Sequence, residues 1–163
     1  MSDFYKTTAL SSNSVEYETP DELFKKLNDE HKFDLDVCAT KENAKCKKYF
    51  TIKEDGLKQK WHGVCFMNPP YNRKIKYWIE KAYNEMYEHK VKTVALIPAR
   101  TDTQYWHDYI FLKTGIQFLK GRLKFKNSNG VNNAAPFPSA IVIFDYKLYN
   151  APEELGKGFM KYR

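Results

Sequence analysis

Four consecutive residues, Asn68, Pro69, Pro70 and Tyr71, place an amide, two prolines and an aromatic ring directly after the apolar run VCFM. An amino group on a heteroaromatic ring is a poor nucleophile, because the ring delocalises its lone pair. The Asn68 side-chain oxygen and the Pro69 carbonyl can hold its two N–H bonds, draw the nitrogen towards tetrahedral geometry and stabilise its growing positive charge. The prolines fix the backbone without adding a competing N–H. The segment therefore predicts chemistry on an amino group, with Tyr71 stacked on the planar ring for about 1–3 kcal/mol.

Polar residues also follow the other predicted strands. They are Asp36 and Cys38, with the apolar Ala39, at the end of the first strand, Asp55 after the second, and Arg100 and Thr101 after the fourth. Taken singly, each has an ordinary interpretation, since Asp and Thr are common in turns and helix caps, Tyr71 can be a packed surface ring and Arg100 a solvated charge. Open α/β sheets bind ligands beyond the carboxyl ends of their strands, so their joint placement favours one site.

The elements that position these residues are read from hydrophobic periodicity and caps. Thr19 as N-cap, Pro20 at the first helical position and Glu22 in a capping box predict the first helix. A second helix spans "KIKYWIEKAYNEMYEHK", and a third begins at Thr101 and stops at Gly115. The predicted strands are 33–39, 49–52, 64–68, 91–99, 116–125 and 139–148, and the last two are joined by a polar loop over 126–138. This order predicts a single Rossmann-like α/β domain, with a mostly parallel sheet, a C-terminal antiparallel hairpin and helices on both faces.

Composition limits the class of protein. A chain of 163 residues with 42% hydrophobic content suits one core, and we expect the domain over 16–150 with flexible tails at 1–15 and 151–163. No run of about 18 apolar residues and no signal-peptide core occur, which predicts a cytoplasmic protein without a membrane partner. The formal charge of +7 permits a polyanionic partner. The pattern leaves open whether the protein is a monomer or a homodimer.

The cysteines do not form a metal motif. Cys38, Cys46 and Cys65 include no CxxC pair, and although His62 is close in sequence, reduced thiols explain them better than a metal site. Direct attack by an amine needs no protein nucleophile, so no catalytic role is predicted for them.

At this point the chain resembles the small bacteriophage family of DNA N6-adenine methyltransferases, often called phage Dam, which depend on S-adenosylmethionine. The resemblance covers about residues 16 to 145, and the segments that carry it are YETPDELF, FDLDVCAT, NAKCKKYFT, EDGLKQKW, FMNPPYN, PARTDTQYWH, GRLKF and APFPSAIVIF. Asn-Pro-Pro-Tyr alone is a moderate signal, because related motifs occur in enzymes that act on RNA and on protein glutamine.

The resemblance implies a role for each matching position. Thr19 and Pro20 would hold the methionine carboxylate of S-adenosylmethionine, Asp36 its ammonium group and Asp55 its adenine amine, while Cys38, Ala39 and Asn68 would complete the cofactor site. Residues Asn68 to Tyr71 would hold and methylate an adenine flipped out of double-stranded DNA.

The chain departs from related methyltransferases in two ways. The stretch CATKENA has no glycine after the first strand, so either Ala39 and Thr40 serve in a different turn or the cofactor binds more weakly than usual. The chain also has no room for a recognition domain, so loops 72–76 and 126–138 would read DNA. The candidate DNA-binding residues are Arg73, Lys74, Arg100, Thr101, Arg122, Lys124 and Asn132, although solvated faces explain any single lysine equally well.

The leading hypothesis is transfer of a methyl group from S-adenosylmethionine to adenine N6 in DNA, by direct attack and without a covalent enzyme intermediate. The first alternative is a catalytically weak or inactive DNA-binding protein on the same fold, which the missing glycine turn favours. The second is an amino-methyltransferase that acts on RNA, cytosine N4 or protein glutamine.

Overall fold

A six-stranded sheet in the order β2-β1-β3-β4-β8-β5 organises the protein. The computed structural model describes residues 17–126 and 132–149. Its strands are β1 (Leu35–Asp36), β2 (Lys48–Tyr49), β3 (Val64–Met67), β4 (Lys92–Pro98), β5 (Gly115–Phe118), β6 (Lys124–Lys126), β7 (Asn132–Ala134) and β8 (Ser139–Phe144). Its helices are α1 (Asp21–His31), α2 (Ile75–His89), a π-helix at Trp106–Ile110 and the short α3 (Tyr146–Tyr149).

The strand directions bring the ends of several strands to one edge of the sheet. Strands β2, β1, β3 and β4 are parallel neighbours, whereas β8 runs antiparallel to both β4 and β5. The register pairs Pro98 with Ser139 and Phe118 with Ala140. Strands β1, β3, β4 and β5 therefore end where β8 begins, and we call this side of the sheet the C-terminal edge.

Helices cover both faces of the sheet, as the sequence predicted. Alternate residues of β4 separate into two apolar cores, because successive side chains of a strand point to opposite faces. Ala95 and Ile97 join the core that includes α2, while Val94 and Leu96 join the core that includes Leu27 of α1. The mixed α/β fold, with a mostly parallel sheet and an antiparallel C-terminal part, is confirmed.

The predicted cap of the first helix is wrong. The helix begins at Asp21, its N-cap position is Pro20, and no side chain caps it. Thr19 is buried, and its hydroxyl oxygen instead accepts a hydrogen bond from the Asn68 amide. The capping-box pattern was local, whereas the partner that the hydroxyl adopts lies 49 residues away in the chain.

The predicted helix from Thr101 to Gly115 is much shorter than predicted, and both of its predicted ends are wrong. Thr101 and Asp102 form a turn that the Thr103 hydroxyl closes by donating to the Arg100 carbonyl. A five-residue π-helix, Trp106–Ile110, follows and buries the residues at both of its ends, so the apolar side chains reach the core within about one turn. Gly115 does not end a helix but begins β5.

The C-terminal strands are shorter than predicted. The predicted strand over 116–125 is divided between β5 and β6, with a turn at Gly121 between them. The predicted polar loop 126–138 contains β7, which pairs antiparallel with β6. The last strand ends at Phe144, where Asp145 accepts a hydrogen bond from the Lys147 backbone N–H and starts α3. The predicted tails at 1–15 and 151–163 lie outside the described residues.

Candidate active site

The Asn68 amide lies at the end of β3 and is held from one side. Its Nδ2 donates to the Tyr17 carbonyl at 2.7 Å and to Thr19 Oγ1 at 2.9 Å. A carbonyl oxygen can only accept, so the amide nitrogen must face Tyr17, and Oδ1 must point the other way. Within the described chain Asn68 Oδ1 is buried and has no hydrogen-bond partner. A buried unpaired acceptor costs about 1–3 kcal/mol, so this oxygen stands ready for a donor that the described chain does not supply.

The two prolines differ in burial and in the hydrogen bonds that their carbonyl groups accept. Pro69 is buried and Pro70 is exposed. The Pro70 carbonyl accepts the Asn72 N–H at 2.9 Å in the turn that leads to α2. The Pro69 carbonyl, by contrast, accepts no hydrogen bond from the described residues. Two neighbouring acceptors, Asn68 Oδ1 and the Pro69 carbonyl, are thus left without a donor from residues 17–126 and 132–149.

Tyr71 is fixed next to these acceptors. Its hydroxyl donates to the Leu96 carbonyl at 3.3 Å, and burial raises the pKa of the phenol, so the hydroxyl keeps its proton. The Tyr17 ring stacks on the Tyr71 ring, with 5.2 Å between ring centroids and 22° between planes. The predicted stacking residue is therefore in place, but one face of its ring is covered by another tyrosine.

Four rings form an aromatic cluster around this stack: Tyr17, Tyr71, Phe125 and Phe137. Phe125 and Phe137 meet Tyr17 edge-on, at 5.0 Å and 5.1 Å between centroids, and Phe137 meets Tyr71 at 5.4 Å. Phe125 belongs to β6, and Phe137 lies just before β8, at the C-terminal edge. The sequence analysis missed Tyr17, Phe125 and Phe137 as site residues. Only the excess of aromatic residues, 16% of the chain, hinted at them.

Asp36 organises the loop that follows β1. It is 2% exposed, and its carboxylate accepts the backbone N–H of Cys38 at 3.3 Å and of Lys45 at 3.1 Å. Burial raises the pKa of Asp36 to about 6, and the two backbone N–H groups oppose that rise. Burial also raises the pKa of the Cys38 thiol to about 12, so it is not a thiolate nucleophile.

A glycine-free turn replaces the expected glycine-rich one. The Thr40 N–H donates to Asn43 Oδ1 at 2.7 Å, and the Asn43 N–H donates back to Thr40 Oγ1 at 3.2 Å. The Ala39 N–H donates to the Phe50 carbonyl. Of the two sequence alternatives, the different turn is the one observed, while the strength of cofactor binding stays a prediction.

Gly56 draws the Asp55 loop against the end of β1. A Cβ atom on Gly56 would lie 2.1 Å from the Val37 carbonyl oxygen, so only glycine permits this approach. The Trp61 indole N–H holds the Gly56 carbonyl at 2.8 Å. Asp55 has a positive φ of 56° and pairs with Lys58 at 3.1 Å. The sequence analysis had no role for Gly56, although the Asp-Gly pair was a signal for a tight turn.

Lys45 links this loop to the start of α1. Its ammonium group lies 2.7 Å from Asp21 and 3.3 Å from Glu18, and its side chain is 12% exposed. Its backbone N–H donates to Asp36. The residue connects the segment that holds Asn68 with the segment that holds Asp36, and no role was predicted for it.

The candidate DNA-binding residues surround the site. Arg73 and Lys74 follow the Asn-Pro-Pro-Tyr segment, Arg100 and Thr101 follow β4, and Arg122 and Lys124 follow β5. All six are exposed at the C-terminal edge, and no salt bridge joins the five basic ones to another described residue. Asn132 begins β7, but its side chain lies outside the described part, as do Asn127 and Asn129.

Neither a metal cluster nor a membrane helix is found in the described ranges. No group of three His, Cys, Asp or Glu side chains over 17–126 and 132–149 is placed to hold a metal ion. Cys38, Cys46 and Cys65 are free thiols. No helix in the same ranges is long and apolar enough to cross a membrane.

Comparisons with known proteins agree with one another. Residues 6–155 match the family model described as DNA N-6-adenine-methyltransferase (Dam). A DNA N-6-adenine-methyltransferase of Haemophilus phage HP1 (strain HP1c1) is 30% identical over 124 residues, which are 71% of this chain and 69% of the phage protein. A DNA N-6-adenine-methyltransferase of Escherichia phage T1 is 32% identical over 93 residues, which are 55% of this chain and 38% of that protein. The family match spans every residue of the site described above.

Proposed function

The chain belongs to the DNA N-6-adenine-methyltransferase (Dam) family, and on that premise we propose that it transfers a methyl group from S-adenosylmethionine to N6 of an adenine flipped out of double-stranded DNA. Methylation of adenine N6 in DNA is the activity that the family and both phage relatives carry in their names. The leading sequence prediction of this activity is thereby confirmed. We further propose S-adenosylmethionine as the methyl donor, double-stranded DNA as the substrate and a role for each residue of the site.

The observation that carries the residue roles is the buried Oδ1 of Asn68 beside the carbonyl of Pro69, neither of which has a donor in the described part of the chain. An adenine amino group has two N–H donors, and these two oxygens offer one acceptor each. When both N–H bonds are engaged, the nitrogen lone pair turns out of conjugation, and the two oxygens stabilise the charge that develops on nitrogen. Because the Tyr17 carbonyl and the Thr19 hydroxyl fix the amide orientation in advance, no reorganisation is needed at the moment of reaction.

The residues at the ends of β1 and β2 fit S-adenosylmethionine in charge. The cofactor supplies a methyl group made electrophilic by a positively charged sulfur. A desolvated carboxylate whose pKa is raised to about 6 gains from a cation, so Asp36 is the residue that would hold the ammonium group. Asp55 would accept from the adenine amine of the cofactor, with Cys38 and Ala39 lining the turn.

The carboxylate end of the cofactor would lie beside Thr19, Pro20 and the start of α1. Glu18 and Asp21 are acidic neighbours there and would oppose an anion, but both already face the Lys45 ammonium group. Lys45 therefore offsets part of the negative charge of Glu18 and Asp21 and lowers the repulsion that a carboxylate would meet at this position.

The C-terminal edge supports duplex DNA as the substrate. Five exposed basic side chains (Arg73, Lys74, Arg100, Arg122 and Lys124) surround the acceptors, and such side chains neutralise phosphates on both sides of a flipped base. DNA in a host cell lies in the cytoplasm, which is where we propose that the protein acts.

Expression in a bacterial host that lacks adenine methylation, followed by nucleoside mass analysis of its DNA, tests the function. We expect N6-methyladenine in DNA from cells with the wild-type protein and none in cells with an empty vector. N4-methylcytosine, or methylation of RNA or protein alone, would contradict the proposal. Sequencing of the methylated DNA identifies the recognition site, and calorimetry with S-adenosylmethionine separates an active enzyme from a DNA-binding protein that lacks the cofactor.

A further inference from the structure

We infer that the ring of Tyr17 occupies the subsite of the target adenine in the free protein and must leave when the base enters. The inference deepens the proposed function and rests on it, because it concerns the same acceptors. It assigns to Tyr17 a task that neither the sequence motifs nor the comparisons give it.

The first step is that the acceptor side of the site is closed. Asn68 Oδ1 is buried although none of the described residues donates to it. An adenine amino group that arrives from solvent cannot reach this oxygen while the structure stays as described. Some group beside Asn68 has to move before methylation.

The second step identifies that group. The Tyr17 carbonyl binds Asn68 Nδ2 at 2.7 Å, and the ring of the same residue lies on the face of Tyr71, 5.2 Å away between centroids. The Tyr17 ring therefore covers a face of the Tyr71 ring, which would stack on the base, while the Tyr17 backbone carbonyl holds the nitrogen side of the Asn68 amide. No other described aromatic residue does both.

The third step concerns the other side of Tyr71. This ring packs against the apolar cores on both sides of the sheet, and its hydroxyl is held by the Leu96 carbonyl. Tyr71 is consequently fixed by the core, and the ring that can leave is Tyr17, which precedes α1 and is only half-buried. Phe125 and Phe137 meet the Tyr17 ring edge-on, as they could meet a purine in the same place.

Replacement of the Tyr17 ring by adenine keeps the same type of contact, the stacking of planar rings. A planar phenol ring leaves a slot between aromatic side chains and a planar base takes its place, so stacking lost with Tyr17 is regained with adenine. In the free protein the Tyr17 ring keeps the face of the Tyr71 ring that it covers out of water. Only the ring has to move, because a bond from the Asn68 amide to the Tyr17 backbone does not depend on the ring's position.

Fluorine NMR of protein labelled with 3-fluorotyrosine tests the exchange in the wild-type sequence. The Tyr17 resonance is identified by its absence in Tyr17→Phe. The probe is a short duplex with the recognition site found by sequencing, added with a cofactor analogue that has no transferable methyl group. We expect the Tyr17 resonance to move towards that of free 3-fluorotyrosine in the complex, while the resonance of the exposed Tyr77 stays in place. An unmoved Tyr17 resonance in a formed complex overturns the inference.

Steady-state kinetics provide a second measurement. Tyr17→Ala removes the competing ring and keeps the backbone carbonyl, so kcat/KM for DNA is expected to rise by about two- to tenfold, the equivalent of one aromatic pair. Tyr77→Ala on α2 serves as the matched control with no change. A fall of kcat/KM in a folded Tyr17→Ala protein would show that the ring is a permanent wall of the site. If wild-type protein makes no N6-methyladenine, the proposed function fails; if it does and Tyr17 stays in place, only this inference fails.

Discussion

The side-chain amide of Asn68 donates a hydrogen bond to the hydroxyl of Thr19 over 2.9 Å, across 49 residues of sequence. Thr19 is buried and lies just before α1, while Asn68 ends β3 at the C-terminal edge. The contact fixes the orientation of the Asn68 amide, so under the proposed function Thr19 would be a positioning residue. It gives the hydroxyl a different task from the helix cap and cofactor contact that the sequence suggested.

Thr19→Val removes this hydroxyl at nearly constant volume. We expect kcat to fall about two- to twelvefold, the equivalent of one hydrogen bond of roughly 0.5–1.5 kcal/mol. Radioactive methyl transfer to DNA measures kcat, and Thr19→Ser, which keeps the hydroxyl, should restore most of it. If the hydroxyl serves the cofactor instead, KM for S-adenosylmethionine will rise while kcat stays constant.

Asn68→Ala removes both the acceptor and the donor of the amide. Methyl transfer should fall at least about 10²-fold, the usual loss when a preorganised electrostatic partner of the transition state is deleted. Calorimetry should show nearly unchanged binding of S-adenosylmethionine. Asn84→Ala, at an exposed position of α2, is the matched control. Turnover close to the wild-type rate in Asn68→Ala would refute the assigned role.

The raised pKa of Asp36 predicts a specific pH dependence of the free energy of unfolding. Its pKa is raised from 3.8 to about 6 in the folded protein, so between these values the folded state binds more protons than the unfolded state. The free energy of unfolding therefore falls as the pH rises through this window, by about 3 kcal/mol in total from this group, and is constant above it.

Urea unfolding of the wild type and of Asp36→Asn at several pH values isolates this contribution. The difference in unfolding free energy between the two proteins should change between about pH 4 and about pH 6 and stay constant at higher pH. A difference that is independent of pH would mean that the Asp36 carboxylate titrates as an exposed group does.

Gly56→Ala tests the close approach of the Asp55 loop to β1. The new Cβ would lie 2.1 Å from the Val37 carbonyl oxygen, so the loop must move away. We expect about 1–3 kcal/mol lower stability and at least about tenfold weaker binding of S-adenosylmethionine by calorimetry. Gly121→Ala, whose Cβ would meet no atom within 4 Å, is strained by the positive φ of 77° and should lower stability but leave cofactor affinity unchanged. Equal loss of cofactor affinity in the two variants would argue against a role of the loop contact.

The salt dependence of DNA binding tests the basic rim. If Arg73 and Lys74 each neutralise one phosphate, their joint replacement by Ala should reduce the slope of log K against log salt by about 1.8. Fluorescence anisotropy with a labelled duplex measures the slope. Lys47 and Lys48 are exposed at the start of β2, on the opposite side of the sheet from the C-terminal edge, and their double Ala variant is the control. An unchanged slope in Arg73→Ala/Lys74→Ala would remove these residues from the interface.

Much of the fold could be predicted because its signals are local. The apolar run of β4 and the helical spacing of Ile79, Ala82 and Met86 in α2 predicted the elements that are observed. The Asn-Pro-Pro-Tyr segment likewise predicted two acceptors from adjacent residues, and in the structure both oxygens lack a donor among the described residues, while their catalytic role stays a prediction.

The remaining features depend on contacts between distant parts of the chain. Thr19 matched a capping box, and only the folded chain shows that Asn68 is its partner. Tyr17, Phe125 and Phe137 share no sequence segment, so their cluster around Tyr71 could not be read from spacing. The Asp-Gly pair predicted a turn at Gly56. Only the folded chain shows why no other residue fits there, because the Val37 carbonyl oxygen just after β1 leaves no room for a Cβ atom.

The three contacts of Lys45 connect the proposed cofactor site with the proposed base site, which bears on the order in which the methyl donor and DNA bind. Its backbone is tied to Asp36 in the loop after β1, and its side chain is tied to Glu18 and Asp21 beside the residues that hold Asn68. Under the proposed function, a methyl donor that fixes the loop after β1 would therefore also fix the Asn68 amide, the proposed acceptor for the amino group of the base. We expect compulsory-order kinetics, with the methyl donor adding before DNA, and Lys45→Ala should convert them towards random order.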